Sequence, residues 1–243
     1  MKIGQSSNPV LGERIFKNAT YTHTEEGTMS VSGAINKIGI LTIILLISGA
    51  YAWSAASATF MWVGLIGGLV FALATIFKPD WSAWSAPLYA AFEGLFLGTI
   101  SGIYANLFEG IVPKAILLTF SILFVMLFSY RSGLVKVTEK FKSGVIAATG
   151  GIAVFYLITM VMGLFGADTS AFFGGGLLSI GISLVIIVVA ALNLVLDFDF
   201  IEKGAEQGLP KYFEWYGGFG LMVTLVWLYL EILRLLSYFT GRD

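Results

Sequence analysis

"GGGLLSIGISLVIIVVAALNLVLDFDFIEKG", residues 174–204, decides the fold class. Its first twenty-three residues, 174–196, hold no charged side chain. As a helix rising 1.5 Å per residue they cover the roughly 30 Å of a bilayer's hydrocarbon core. Two aspartates and a glutamate then follow within a few residues. Acids at the edge of an apolar run either mark where the membrane stops or form a proton- or cation-handling site. Asp197 and Asp199 pose that question for the whole chain.

Outward from this stretch the same pattern recurs. Apolar runs at 38–56, 58–77, 86–107, 111–130, 144–166 and 215–239 join 174–196 as seven candidate spans. Strands are excluded by length, because membrane-barrel strands alternate in polarity and are about half as long. Of the 243 residues, 57% are hydrophobic and 12% charged, with mean hydropathy +0.87. A soluble domain carries about 25% charged residues. The sequence therefore predicts an all-α polytopic membrane protein, with residues 1–37 a polar tail and 38–243 one transmembrane domain. The first two spans, parted by almost nothing near Ser57, should form a tight hairpin. The seventh run either crosses or re-enters.

Lys+Arg 14 against Asp+Glu 15 leaves no basic footprint for nucleic acid. Without cysteine there is no disulfide or thiolate site, and the single histidine, His23, builds no multi-histidine metal centre. No HExxH, Walker loop, GxGxxG or Ser–His arrangement occurs, so an enzyme and a resident cofactor are not expected. With the N-terminus inside, inner segments hold Lys2, Arg14, Lys17, Lys37, Lys78, Arg131, Lys136, Lys140, Lys142, Lys203 and Lys211. Only Lys114, Arg234 and Arg242 fall outside. That bias predicts a cytoplasmic N-terminus in a cytoplasmic membrane.

Gly94, Gly98 and Gly102 on the third span, and Gly64 and Gly68 on the second, lay side-chain-free stripes along their helices. Such stripes let backbones approach closely, within one chain or between two copies. Charge inside the membrane is costly and so informative. Glu93 sits amid "LYAAFEGLFLGTI" and Glu231 amid "LVWLYLEILRLL". An unpaired acid there favours its protonated form and could gate with pH or hold a cation. Glu93 alternatively bonds a neighbouring helix as a neutral carboxyl. Glu231, three residues before Arg234, alternatively forms a structural, partly solvated pair. Asp197 and Asp199 are two residues apart, about 200° around a helix. One should face inward, while Asp199 with Glu202 and Glu206 forms a wet cytoplasmic face.

"LNLVLDFDFIEKG" (192–204), followed by "PKYFEWYGGFGLMVTLVWLYLEILRLL" (210–236), resembles the Bax inhibitor family, also called the transmembrane Bax-inhibitor-motif or YccA-like family. "TMSVSGAINKIGILTIILLISGAYAW" (28–53) is similar to its bacterial branch. The resemblance implies a seven-helix bundle with the last helix central. It also implies an acid at the end of the sixth helix that shares protons with an Asp in the last, coupled to a calcium leak. The first acid matches Asp197; where the second is expected this sequence has Thr224, with Glu231 two turns further on. The expectation is a pH-sensitive calcium or cation leak, its only ligands transient Ca2+ or protons. Asp197 is its principal ionisable group, with Glu93, Glu231 and Asp199 as further candidates. The rival is a non-conducting regulator of other membrane proteins, such as a membrane protease.

Overall fold

A computed structural model describes residues 27–55 and 57–240. The polar segment 1–26, His23 within it, and Arg242 lie outside the described residues. Seven helices are long and apolar enough to cross a membrane. They are α1 (Val31–Ala55), α2 (Ala58–Phe77), α3 (Ser82–Leu107), α4 (Ile111–Arg131), α5 (Glu139–Leu164), α6 (Leu177–Glu206) and α7 (Phe213–Thr240). A 3-10 turn, Pro79–Trp81, leads into α3, and one helical turn, Ser170–Phe173, precedes α6. Among the described residues there is no strand, only an isolated bridge between Thr28 and Pro210. The protein is an all-α, multi-pass membrane protein.

Buried fractions of the apolar windows run from 11% to 39% in α1–α5 but reach 56% in α6 and 61% in α7. The enclosed last helix expected from the sequence is thus present. Elsewhere Ile47, Trp62, Ile66, Leu117 and Phe124 are exposed. Side chains of that kind on a helix surface find their solvent in lipid. Hydroxyls within the spans bond to the turn before them, as Thr42 donates to Ile38 O, Thr119 to Ala115 O and Thr159 to Phe155 O. Local bonding satisfies these groups where water is absent.

Helix ends correct three sequence boundaries. α1 starts at Val31, inside the segment read as polar tail, because Ser30 caps it: its Oγ accepts from Gly33 N at 3.0 Å. α3 runs through Pro87 from Ser82 rather than starting near 86. α6 does not stop at 196 but continues to Glu206. Residues 197–206 contain no proline, and Lys203 pairs with Asp199 one turn back at 2.7 Å. The stop comes at Gly208, whose φ of +63° a side chain would resist. There Gly208 N donates to Ala205 O and Leu209 N to Gly204 O, the paired bonds of a Schellman cap. α7 is one unbroken helix of 28 residues, with no bend at which the chain could turn back.

The chain sorts into two compact units, with α3, α6 and α7 each contributing to both. One comprises residues up to 103 with 197–223, the other 104–196 with 224–243. In the first, glycine sets the packing. A Cβ on Gly98 would lie 2.1 Å from Gly49 O, and one on Gly94 would lie 2.4 Å from Leu45 O, so α1 and α3 touch backbone to backbone. A Cβ on Gly64 would meet Phe96 N at 2.5 Å. Gly102 has open space around it, so the expected stripe is used at two of its three positions. In the second unit Phe155 meets Phe172 and Phe173, and Asn193 Nδ2 donates to Thr149 Oγ1 at 2.8 Å.

Candidate functional site: buried acids in the spans

Asp197 is fully buried, on an internal turn of α6 and not at its end. Asp199 is 6% exposed and ion-paired with Lys203. The wet face expected there is therefore confined to Glu206, which is exposed, with Glu202 half-buried. Asp197 and Asp199 lie about 200° apart on α6, yet both are buried, so neither is the solvent-facing acid expected of the pair. Thr224, where the resemblance expects a second acid, is 3% exposed on α7. It belongs to the other unit from Asp197.

Glu231 is paired within the last span. Its carboxylate accepts from the Arg234 guanidinium and from Tyr156 OH, the latter at 2.8 Å. Arg234 also donates to the Tyr156 phenol oxygen and lies 5.4 Å from the ring centroids of both Tyr156 and Phe173, two rings that stack on one another. Helical spacing brings Glu231 and Arg234 together, and α5 supplies the phenol. The pair expected from the sequence forms, but Glu231 is 3% exposed and Arg234 only partly open. A charge at this depth is tolerable because its partners are in place.

Glu93 is the opposite case. It is half-buried near the middle of α3, and its Oε2 lies 2.7 Å from where a Cβ on Gly68 of α2 would be. Among the described residues no donor or cation bonds this carboxyl. Tyr89, buried one turn earlier, is an ionisable neighbour and stacks edge-on with Phe219 at 4.9 Å.

Two buried charges escaped the sequence reading. Glu214, 2% exposed in the first turn of α7, accepts from Ser30 N and Ser30 Oγ, both at 3.0 Å. A Cβ on Gly33 would fall 1.9 Å from its Oε1, so Gly33 clears the approach. The carboxylate thereby faces the N-terminal end of α1, where the helix dipole favours an anion. Met29 N donates to Leu209 O at 2.7 Å, and Lys37 lies 4.8 Å from the Trp215 ring. This latch was hidden because Glu214 sits among aromatics just outside the apolar run. Lys142, read as a loop residue, is fully buried in the first turn of α5, 3.7 Å from Glu139. The cue available was Thr138 preceding Glu139, an N-cap signature whose Oγ1 accepts from Phe141 N. Nearby in sequence to the latch, Tyr212 is raised above the usual phenol range by burial and by the Asp80 charge.

The profile of the family described as Bax inhibitor 1 like matches residues 8–241. No curated protein matches the chain.

Proposed function

Because the chain belongs to the Bax inhibitor 1 like family, we propose that it is a pH-sensitive leak for calcium or another cation, acting in the cytoplasmic membrane with its N-terminus inside. The observation that carries this reading is Asp197, a fully buried carboxyl on an enclosed helix. Burial disfavours a carboxylate relative to its acid. A change of protonation there changes which arrangement of its surroundings is stable, which is how a buried titration becomes a conformational switch. Thr224 contributes a hydroxyl where the resemblance expects a carboxyl. Asp199, paired with Lys203, Glu231, paired with Arg234, and Glu93 are the further candidates.

The test is calcium entry into liposomes containing the purified protein, followed with an enclosed dye across a pH series. Wild type should show flux that varies with pH, and Asp197→Asn, which mimics the protonated acid, should lose that variation. No flux at any pH would overturn the leak and leave the non-conducting regulator. Equal pH dependence in Asp197→Asn would remove Asp197 from the mechanism.

A further inference from the structure

The α2–α3 contact contains an acid that no cation or hydrogen-bond donor among the described residues meets. α2, "ATFMWVGLIGGLVFALATIF", has no ionisable side chain along its entire length. Against it α3 sets Phe92, Glu93 and Phe96: a Cβ on Gly67 would lie 2.3 Å from the Phe92 ring, and one on Gly64 would lie 2.5 Å from Phe96 N. Gly68 completes the row and leaves the space that the Glu93 carboxyl occupies. Phe71 stacks on Phe92 at 5.4 Å, closing the row beyond it. Glu93 lies eleven residues into α3, about 16 Å along its axis at 1.5 Å per residue, well inside an apolar core about 30 Å thick. From α3 itself the facing ionisable group is Tyr89, which as a phenolate would repel the carboxylate.

An anion in this position would be desolvated with no compensating charge, a far costlier state than the neutral acid. We propose that Glu93 is a proton-binding site of its own, seated as a neutral carboxyl against Gly68, and that this protonated form holds α2 against α3. Its ligand is the proton. Loss of the proton favours withdrawal of the carboxylate from the Gly68 space towards water, loosening the α2–α3 contact. The site rests on the membrane-spanning fold and not on the leak reading, so either can fail alone.

A neutral acid in an apolar setting has a diagnostic chemistry. A hydrophobic carbodiimide takes the acid's proton on one nitrogen while the carboxyl oxygen attacks its central carbon. The resulting O-acylisourea rearranges by acyl transfer to nitrogen, giving a stable N-acylurea that retains every atom of both reactants. Full-length protein in membranes is treated with dicyclohexylcarbodiimide and the adduct located by peptide mass spectrometry. Glu93 should be modified, with labelling falling severalfold from about pH 6 to about pH 9 as the acid ionises. A water-soluble carbodiimide should label it at least several times less. Glu93→Gln should lose the adduct and remain folded. Gly68→Ala should lower labelling by displacing the carboxyl, and Gly102→Ala should not. Absence of the adduct at every pH overturns the proposal, as does equal labelling by the two reagents, which would place Glu93 in water.

Discussion

Glu231 and Glu93 are both glutamates within membrane spans, and the molecule treats them in opposite ways. Glu231 has a guanidinium, a phenol and two aromatic faces assembled around it and its partner. Glu93 has a glycine. The first device keeps the charge and supplies its counterion. The second leaves room for a carboxyl, and no counterion meets it among the described residues. Two acids that look alike in a hydropathy plot are therefore different chemical objects. One is ion-paired within the fold, and the other is the proton-binding group proposed above.

The largest effect expected is on the Glu231–Arg234 pair. Arg234→Met leaves Glu231 buried without its counterion and should destabilise the protein by about 3 kcal/mol, the lower end for breaking a buried pair, because Arg234 is partly exposed. Removing both charges in Arg234→Met/Glu231→Met should restore most of that loss. Glu93→Gln should change stability by no more than about 0.5–1 kcal/mol near neutral pH, since the amide reproduces a neutral carboxyl. Denaturant unfolding in detergent micelles, monitored by circular dichroism, measures all three. Equal losses for Arg234→Met and Glu93→Gln would break the contrast.

The number and rough limits of the spans were legible because hydropathy over some twenty residues is a strong signal, set by the bilayer's thickness. The pair was half legible, since spacing three couples Glu231 to Arg234 within one helix, while Tyr156 lies 75 residues away in the chain. The Glu214 latch was not legible at all. It depends on Ser30, 184 residues distant, and on a glycine whose role is to be absent. Asp199 misled for a related reason. Polarity in sequence reads as exposure, but Asp199 met Lys203 on its own helix and could be buried as a pair. What sequence lacks in each case is the neighbour, and burial of charge is decided by neighbours.

A middle-sized effect probes the glycines. Gly68 makes room for a carboxyl, whereas Gly98 makes room for backbone, with 2.1 Å between its would-be Cβ and Gly49 O. A flexible side chain moves aside more cheaply than a helix does. Gly98→Ala should therefore cost about 1–3 kcal/mol through separation of α1 from α3. Gly102→Ala, in open space, should be neutral or stabilise by up to about 1 kcal/mol through helix propensity. The same unfolding titration ranks them, and a Gly98→Ala variant as stable as Gly102→Ala would mean that the α1–α3 contact does not carry the fold.

The smallest effect concerns an acid outside the spans, and it sharpens the comparison by reversing Glu93. Asp168, in the turn before Ser170–Phe173, accepts from Ser170 N at 2.8 Å, and bonds from Ser170 hold its carboxyl below the usual carboxylate range. Here the anion is the favoured form, because donors are present and water is everywhere. A folded-state pKa below the unfolded value means that the contribution is complete above the ordinary carboxyl pKa of about 4 and is lost as pH falls through the lowered one. Protection of the Ser170 amide against hydrogen exchange should accordingly be pH-independent near neutrality, after correction for intrinsic rates, and should fall in acid. Asp168→Ala should lack protection at both ends of that range, with global stability nearly unchanged. Glu93 should show the opposite sign, its neutral form favoured and its contact with Gly68 weakening as pH rises. If the α2–α3 contact and the Ser170 amide both loosened in acid, the division between acids kept charged and acids kept neutral would fail.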